Sequence, residues 1–529
     1  MLVLINDWYN EFYNALQAYE YELFWPLVGK FAFLAFVHIA VAVYAIYLRQ
    51  MLQIKWRTWL TDRYLARWME NRAYYKLETL AEGTDNPDQR ISEDIGQFVE
   101  LTLTLSVGFL KQLTTLAAFA VVLWNLSGVL TVPVGSWEFH IYGYMLWFSL
   151  IYSVLGTVGA HRVGRKLIGL NFEKQRFEAD FRFSMMRVRE NSESVAFYGG
   201  ETQEVRGFSE RFARVIGNFR ELMRQTKILN FYINGYAQLA IIVPLVMAAP
   251  RYFGGEMALG GLMQTISAFG KVQDALSYFV EAYGSIAEYA AVVRRLSGFT
   301  AHMEEVDAKE SAVTLSPSSG GLDVEGLCVS LPDGTKLLQG CSFSLAPGEA
   351  LLVTGASGAG KSTLLRALAG LWPFAHGRTA FPANEKRLFL SQRPYLPLGT
   401  LARAVAYPLT AQGPREEMER ALRLVGMEAF LSRLDEVADW SHILSLGEQQ
   451  RIAFARILLV RPAWAFLDEA TSALDEAREK ELYEMLAHEL PKMGIVSIGH
   501  RSTLREQHGR ELHLDGTGGF STCVLTESA

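Results

Sequence analysis

The glycine-rich segment GASGAGKST, residues 355–363, most constrains the fold, because it lies between an apolar run (350–354) and a helix-forming stretch (364–370). A loop of this kind between a strand and a helix turns backbone N–H groups toward phosphate oxygens. Its lysine reaches the β- and γ-phosphates, and the following serine binds Mg²⁺. The segment predicts an α/β domain that binds a nucleoside triphosphate through Gly355, Ala356, Ser357, Gly358, Ala359, Gly360, Lys361, Ser362 and Thr363.

Further segments with polar residues follow in a fixed order: LFLSQRPYLPLGTL with Gln392, LSLGEQQR (444–451) with Ser445 and Gly447, WAFLDEATSALD with Asp468 and Glu469, and SIGHR with His500. Residues 464–467 and 495–498 are apolar and predict buried strands that end beside these polar residues. The series resembles the P-loop domain of the ATP-binding cassette (ABC) family. It matches the Walker A loop, the Q-loop, the signature, the Walker B strand with its D-loop (472–475), and the switch histidine.

Phosphoryl transfer to water needs charge neutralisation around the γ-phosphate and an oriented nucleophile. We expect Lys361 and Mg²⁺ to supply the charge, and Glu469 to polarise the attacking water as a general base. His500 is expected to hydrogen-bond the γ-phosphate. The predicted catalytic residues are Glu469, His500, Lys361 and Gln392, and the predicted residues at the metal are Ser362, Gln392 and Asp468.

The signature predicts a second anion site. The Ser445 hydroxyl and the Gly447 amide stand at the start of a predicted helix, where the helix dipole favours negative charge. The resemblance implies that this site serves ATP held by the other subunit. Because the chain carries a single cassette, it implies a homodimer.

Two departures from the usual cassette pattern are present. Leu446 and Glu448 make the signature LSLGE, where many cassettes read LSGGQ. Leu331 and Pro332 precede the Asp-Gly turn, where many cassettes carry an aromatic residue that stacks on adenine. We expect the first to alter kinetics and the second to weaken the preference for ATP over GTP.

The rest of the chain predicts a membrane domain. Hydrophobic residues make up 50% of the 529 positions, and the mean hydropathy is +0.11. Each long apolar run can cross a hydrocarbon layer of about 30 Å at about 1.5 Å per residue. The five runs are 27–52, 105–132, 141–167, 231–253 and 259–293.

Charge orients these runs. Lys and Arg are frequent after the first run, between positions 49 and 76, and absent from positions 8–26. The basic side is therefore expected in the cytoplasm, with the cassette. The predicted location is the bacterial inner (plasma) membrane, multi-pass, with the lipid bilayer as a partner.

The predicted domains are a transmembrane domain (1–301), a linker (302–321) and the cassette (322–529). Exporter-type domains of this family have six spans, and residues 1–5 look like the tail of another membrane helix. The expected fold is thus a polytopic α-helical membrane domain whose first helix is truncated, fused to the cassette.

Three segments narrow the resemblance: INDWYNEFYNALQ (5–17), NPDQRISEDI (86–95) and ENSESVAFYGGE (190–201). They are similar to SbmA/BacA-like transporters that carry their own cassette, and more distantly to peroxisomal fatty-acyl transporters. This resemblance implies uptake of peptides or a large cobalamin-like solute. Efflux of hydrophobic compounds is equally compatible, and a non-transporting sensor or regulator ATPase is the alternative of another class.

A polar stripe in the last apolar run bears on that choice. Its members recur at helical spacings of four and three, and so share one face: Ser267, Lys271, Asp274, Tyr278, Glu281, Ser285 and Glu288. Charges that face lipid are costly, so the stripe is expected to line a wetted cavity or contact another helix. Such a cavity favours transport of a solute over regulation.

Charge and cysteine content exclude other classes. A net charge of −6 provides no basic field for nucleic acid. Cys328, Cys341 and Cys523 lack metal-ligand spacing and are expected to be reduced in the cytosol.

Overall fold

A computed structural model describes residues 1–80, 86–134, 137–308, 312–318, 320–382, 385–409 and 413–525. The chain divides into two compact units, Met1–Glu304 and Glu305–Ala529. Within the described residues, the first unit is helical apart from a β-hairpin, and the second combines β-sheets with short helices. The predicted fold class, a helical membrane region fused to an α/β domain, is confirmed.

The helices of the first unit range from 3 to 53 residues. They are α1 (Leu2–Gln17), α2 (Tyr21–Met69), α3 (Ala73–Leu80), α4 (Pro87–Gln89), α5 (Ile95–Ser127), α6 (Tyr144–Glu190), α7 (Ser192–Tyr198), α8 (Glu201–Phe253), α9 (Leu259–Glu281) and α10 (Tyr283–Ala308). A 3₁₀ turn (Glu70–Arg72) separates α2 from α3, and a π turn (Arg90–Asp94) leads into α5.

Three helical segments of the described chain are long and apolar enough to cross a membrane: Tyr21–Thr79, Pro87–Ser127 and Glu201–Phe253. They contain all or most of the predicted runs 27–52, 105–132 and 231–253. For the runs in α6 and α9, where polar residues interrupt the apolar ones, spanning stays a prediction.

A β-hairpin corrects the bounds of two predicted spans. The run 105–132 ends as a helix at Ser127, and the run 141–167 becomes helical only at Tyr144. Between them lie β1 (Val129–Val134) and β2 (Trp137–Tyr142), paired antiparallel. Gly128 follows α5 and Gly143 precedes α6, with φ of 66° and 65°, a backbone region that favours glycine because a side chain there is strained.

Small residues bring α6 and α8 close together. The Tyr232 hydroxyl donates to the Gly156 carbonyl at 3.1 Å, and the Tyr152 and Tyr236 rings stack with centroids 4.4 Å apart. A Cβ at Gly156 or Gly159 would overlap the tyrosine rings of α8. The glycines therefore decide where these helices meet.

Amide side chains hold α1 against α9. Asn6 donates to the Gln264 carbonyl at 3.1 Å, and Asn10 donates to the Gln264 side chain at 2.9 Å. The Gly260 N–H donates to Asn14 at 2.8 Å. Residues 2–5, predicted to be the tail of a membrane helix, belong to a helix that continues to Gln17 and whose polar side chains are matched by α9.

The predicted run 259–293 is not one helix, because α9 ends at Glu281 and α10 begins at Tyr283. The Ala282 N–H still donates to the Tyr278 carbonyl, and the Ile286 N–H to the Ala282 carbonyl, both at 2.8 Å. The break is therefore local, and the stripe continues from α9 into α10.

The second unit contains β3 (Ala312–Ser318), β4 (Leu322–Ser330), β5 (Lys336–Leu345), β6 (Ala350–Gly355), β7 (Ala375–Pro382), β8 (Arg387–Leu390), β9 (Gly399–Thr400), β10 (Val437–Ala438), β11 (Trp464–Asp468), β12 (Gly494–Ile498), β13 (Arg510–Leu514) and β14 (Phe520–Val524). Its helices are α11 (Lys361–Leu368), α12 (Leu401–Ala406), α13 (Arg415–Leu424), α14 (Trp440–Ile443), α15 (Leu446–Val460), α16 (Glu476–Glu489) and α17 (Ser502–Glu506), with a 3₁₀ turn at Glu428–Arg433.

A mainly parallel sheet organises this unit. In the described residues its strand order is β14-β13-β6-β12-β11-β8, with only β14 antiparallel to its neighbour. The central strands are almost wholly buried, as expected for a sheet covered on both faces. Because β8, β11, β12 and β6 are parallel neighbours, the segments that follow them emerge at one edge of the sheet.

The predicted linker 302–321 contains regular structure in its described residues. α10 continues to Ala308, with Met303 fully buried. β3 pairs in parallel with β7, from Ala312 beside His376 to Ser318 beside Pro382. The strand forms because it pairs with a segment distant in the sequence. Its own sequence shows no lasting periodicity that would predict it.

Candidate nucleotide site

The glycine-rich loop connects β6 to α11 as the sequence predicts. Gly355, Gly358 and Gly360 have φ of 143°, 82° and 93°, where an L side chain is strained. A Cβ at Gly360 would stand only 3.0 Å from the Leu337 Cβ. The loop thus has a backbone that curls tightly before α11 begins at Lys361.

Lys361 lies inside this loop. Its Nζ donates to the carbonyls of Gly355 at 2.8 Å and Ala356 at 2.9 Å, and the residue is only 7% exposed. Burial lowers the pKa of Lys361, while the nearby Glu469 and Asp468 carboxylates act in the opposite direction. The carbonyl oxygens of the loop therefore hold the Lys361 ammonium inside the turn that precedes α11.

Ser362 and Asp468 form an oxygen-rich pair beside the loop. The Ser362 hydroxyl donates to Asp468 Oδ1 at 2.9 Å. Burial raises the pKa of the Asp468 carboxyl, and the hydrogen bond from Ser362 opposes this shift. A hydroxyl and a carboxylate are the hard oxygen donors that Mg²⁺ prefers, so the residues present fit a magnesium–nucleotide complex.

Glu469 joins the segments that follow β8 and β12. Gln392 Nε2 donates to Glu469 Oε2 at 3.1 Å, and His500 Nε2 is 3.8 Å from Glu469 Oε1. Glu469 itself has φ of 48°, a conformation that costs a non-glycine residue free energy and often marks functional sites. Its N–H is tied to the Ile498 carbonyl at 3.2 Å. The structure thus brings together Gln392, Glu469 and His500 at the carboxyl edge of the sheet.

The signature residues stand at the first turn of α15. Ser445 is the N-cap residue of that helix, and its hydrogen bonds go to Glu448 in a capping box. A Cβ at Gly447 would be 3.1 Å from the Ala473 carbonyl, so the glycine lets the helix pack against the D-loop. The hydrogen bonds of Ser445 thus connect it to its own helix and not to the phosphate loop of the same chain.

Sequence reasoning missed Gln450, which connects three parts of the site. The residue is fully buried. Its Nε2 donates to the Gln392 carbonyl at 3.0 Å and the Ser472 hydroxyl at 3.1 Å, and its Oε1 accepts from the Ala473 N–H at 3.0 Å. Little in the sequence signals this role, because Gln450 lies in a polar run between Gln449 and Arg451.

Arg501 was also missed, although it directly follows His500. Its guanidinium donates to the Leu474 carbonyl at 2.7 Å and the Ser472 carbonyl at 3.1 Å, and it lies 3.7 Å from the buried Glu479. Thr503 donates to the same carboxylate at 2.7 Å. The D-loop is thereby fixed to the segment that carries the switch histidine.

The position expected for an adenine-stacking residue is aliphatic. The Leu331 N–H donates to the Thr335 carbonyl at 2.8 Å in a compact turn, with Leu331 half-buried and Pro332 exposed. Trp372 is buried and donates to the Ser330 carbonyl at 2.7 Å. This turn therefore offers a base an aliphatic surface.

The polar stripe of the first unit is largely accessible. Asp274, Glu281 and Glu288 are exposed, and Lys271 is half-buried. The opposite face of α9 packs into the helical core through Ala268, Phe269 and Val272. Tyr278 donates to the Leu105 carbonyl of α5 at 3.0 Å. The segregation of polar and packed faces predicted from the spacing is present.

Comparison with known families assigns both units. Residues 1–253 match the family described as ABC transporter transmembrane region 2, and residues 338–472 match the family described as ABC transporter. The second match extends from β5 to the D-loop.

Relatives match along nearly the whole chain. The inner membrane ABC transporter ATP-binding protein YddA of Escherichia coli (strain K12) is 36% identical over 503 residues, 94% of this chain and 88% of that protein. The lysosomal cobalamin transporter ABCD4 of Homo sapiens is 29% identical over 548 residues, 96% of this chain and 88% of that protein. A bacterial Atm1-family ABC exporter with ATP bound shares the fold, with a TM-score of 0.76, 17% identity, and coverage of 99% of this chain and 93% of the other.

Proposed function

The chain belongs to the ABC transporters that join a membrane region to an ATP-binding cassette, and on this premise we propose that it is a homodimeric half-transporter of the bacterial inner membrane. It uses ATP hydrolysis to move a solute across the bilayer. The observation that carries the proposal is the convergence of Lys361, Ser362, Asp468 and Glu469 at one edge of the parallel sheet.

Hydrolysis is assigned to residues at this edge. The loop amides and Lys361 bind the phosphates, and Ser362, Asp468 and Gln392 hold Mg²⁺. When bound, Mg²⁺ neutralises charge that develops on the phosphate oxygens. Glu469 accepts a proton from the attacking water, and its strained backbone directs the carboxylate toward Gln392 and His500.

His500 and Gln392 keep the attack geometry. Both lie within reach of Glu469 across the described site, so a γ-phosphate placed between them and Lys361 would contact donors on several sides. Stabilising charge on the transferring group with preorganised donors supplies most of the rate in phosphoryl transfer.

Each active site is completed by the partner subunit. The donors at Ser445 and Gly447 serve the ATP that the opposite cassette holds, so two identical sites form when two chains close on two nucleotides. Support comes from the single cassette in the chain and from the hydrogen bonds of Ser445, which go to its own helix.

The transported solute is a peptide, a cobalamin-like molecule or another large or hydrophobic compound. The name of the human relative specifies cobalamin. The exposed carboxylates of α9, on a face opposite the packed core, provide a polar surface for a wetted pathway.

Transport is tested with the purified chain in liposomes. We expect ATP-dependent flux of radiolabelled cobalamin or of a labelled peptide library, measured separately for cassettes facing outward and inward, and no flux with Lys361→Ala. Steady ATP hydrolysis without flux of any solute would contradict transport and favour a regulatory ATPase.

A further inference from the structure

The carboxylate of Glu448 occupies both hydrogen-bond donors of Ser445, the first polar residue of the signature. Its Oε2 accepts from the Ser445 N–H and from the Ser445 hydroxyl, each at 2.9 Å. In return, the Glu448 N–H donates to the Ser445 oxygen at 3.3 Å. One carboxylate oxygen thus takes two donors at the first turn of α15.

The hydroxyl of a serine has a single hydrogen to donate. While Ser445 donates it to Glu448, it cannot donate it to a phosphate. The bond to Glu448 is charge-assisted and therefore roughly twice as strong as one to a neutral acceptor. It also lies at a helix N-terminus, where a negative charge is favoured.

In the described residues the cation paired with this carboxylate is Arg451, whose Nη2 faces the other carboxylate oxygen, Oε1. Arg451 is 4.0 Å away, at the outer limit of an ion pair, and its guanidinium is bonded to the Gly426 carbonyl at 2.6 Å. A phosphate that approached Ser445 would therefore meet a second anion.

We propose that Glu448 sets the ATP concentration at which two cassettes close, by competing with the γ-phosphate for the Ser445 hydroxyl. This inference rests on the proposed composite site, in which Ser445 serves the nucleotide of the partner subunit. Closure must rotate the hydroxyl away from Glu448 and hold the carboxylate near the phosphate. Both changes oppose closure.

The substitution Glu448→Gln removes the negative charge of this side chain and keeps its shape. Its carbonyl oxygen accepts from the Ser445 N–H as the carboxylate does, so the cap of α15 is preserved. A neutral acceptor holds the hydroxyl less strongly and does not repel a phosphate. Glu448 thus acts through Ser445, as a positioning residue that makes closure harder.

The test uses the full-length dimer and the non-hydrolysable analogue adenylyl imidodiphosphate, with closure followed by fluorescence energy transfer between labelled cassettes. In Glu448→Gln, we expect the analogue concentration for half-maximal closure to fall about tenfold, because a charge-assisted hydrogen bond is replaced by a neutral one. The KM for ATP should fall in the same direction.

The same substitution in a Ser445→Ala protein distinguishes competition for the Ser445 hydroxyl from a change in the stability of α15. In Ser445→Ala, adding Glu448→Gln should shift closure by much less, because there is no hydroxyl to release. A melting temperature that stays within about 2 °C of the parent excludes a loss of capping.

The outcomes separate this inference from the proposed function. If the wild-type dimer closes with nucleotide but Glu448→Gln closes at the same concentration, only the inference is overturned. A tenfold shift that persists in Ser445→Ala also overturns it. If the wild-type chain neither closes nor hydrolyses ATP, the proposed function fails, and this inference with it.

Discussion

Polar side chains of α15 and the polar stripe on α9 lie in opposite environments. On α15, Gln450 and Arg456 are buried, with acceptors for their donors. On α9, Asp274 and Glu281 are exposed, and no ion pair within the described residues involves either. A buried polar group with partners positions other groups, whereas an exposed charge on a membrane helix needs water or a second subunit.

The largest loss of ATP hydrolysis is expected on substitution of Glu469, the proposed general base. Glu469→Gln keeps the hydrogen-bonding shape but cannot accept a proton, so turnover should fall about a thousandfold, within the range for loss of general base catalysis. ATP binding should remain, because Lys361 and Ser362 are unchanged. Phosphate release and equilibrium binding of labelled ATP measure the two quantities.

The control is Glu476→Gln, which removes an exposed carboxylate from the first turn of α16. It should hydrolyse ATP at nearly the parent rate. If the Glu469→Gln protein hydrolyses ATP at the parent rate, the general base is another residue. The assignment of catalysis to this edge of the sheet then fails.

The next largest effect tests whether the buried, hydrogen-bonded Gln450 positions the residues of the candidate site. Gln450→Met leaves the Gln392 carbonyl, the Ser472 hydroxyl and the Ala473 N–H without their partner. Each buried group left unsatisfied costs about 1–3 kcal/mol. We expect kcat for ATP to fall about tenfold to a hundredfold, because the loop and the D-loop lose their common anchor.

Gln449→Met is the matched control. Its Nε2 bonds the Ser441 and Leu444 carbonyls, each at 2.9 Å, and none of its hydrogen bonds reaches Gln392 or Ser472. It should lower the melting temperature while kcat changes little. Equal losses of kcat in both variants would mean that Gln450 only stabilises the helix.

The positions of the candidate site residues were largely predictable, because these residues directly follow strands that the sequence marks by apolar runs. Asp468 and Glu469 end or follow β11, and His500 follows β12, as expected. Gln450 was not predictable to the same extent, because its partners come from Gln392, 58 residues earlier, and Ser472, 22 residues later. Such contacts exist only once the sheet has formed.

The membrane unit was predicted in kind but not in detail. An apolar composition indicates that a segment lies in the membrane. A short apolar run, however, is compatible with a strand as well as with a helix. The residues of the hairpin β1–β2 were therefore predicted to be the ends of two membrane helices, although Gly128 and Gly143 mark the limits of the hairpin. Similarly, β3 depends on pairing with β7.

The smallest effect tests the exposed charges of α9. In Glu281→Gln, we expect solute flux per ATP hydrolysed to fall about fivefold, at the low end of coupling free energies between distinct sites. Basal ATPase should change little, because every residue of the nucleotide site is retained. Flux and phosphate release are measured in the same liposomes.

Glu22→Gln provides the control, since Glu22 is an exposed carboxylate in the first turn of α2 and lies outside the stripe. It should leave the ratio of flux to hydrolysis unchanged. If Glu22→Gln lowers the ratio as much as Glu281→Gln does, the effect is one of surface charge. If flux and ATPase instead fall together in Glu281→Gln, the carboxylate supports the fold of α9 as Gln450 supports α15, and the contrast between the two helices disappears. A selective loss of flux keeps the contrast, because only a group outside the hydrolytic site can change the solute carried without changing the ATP consumed.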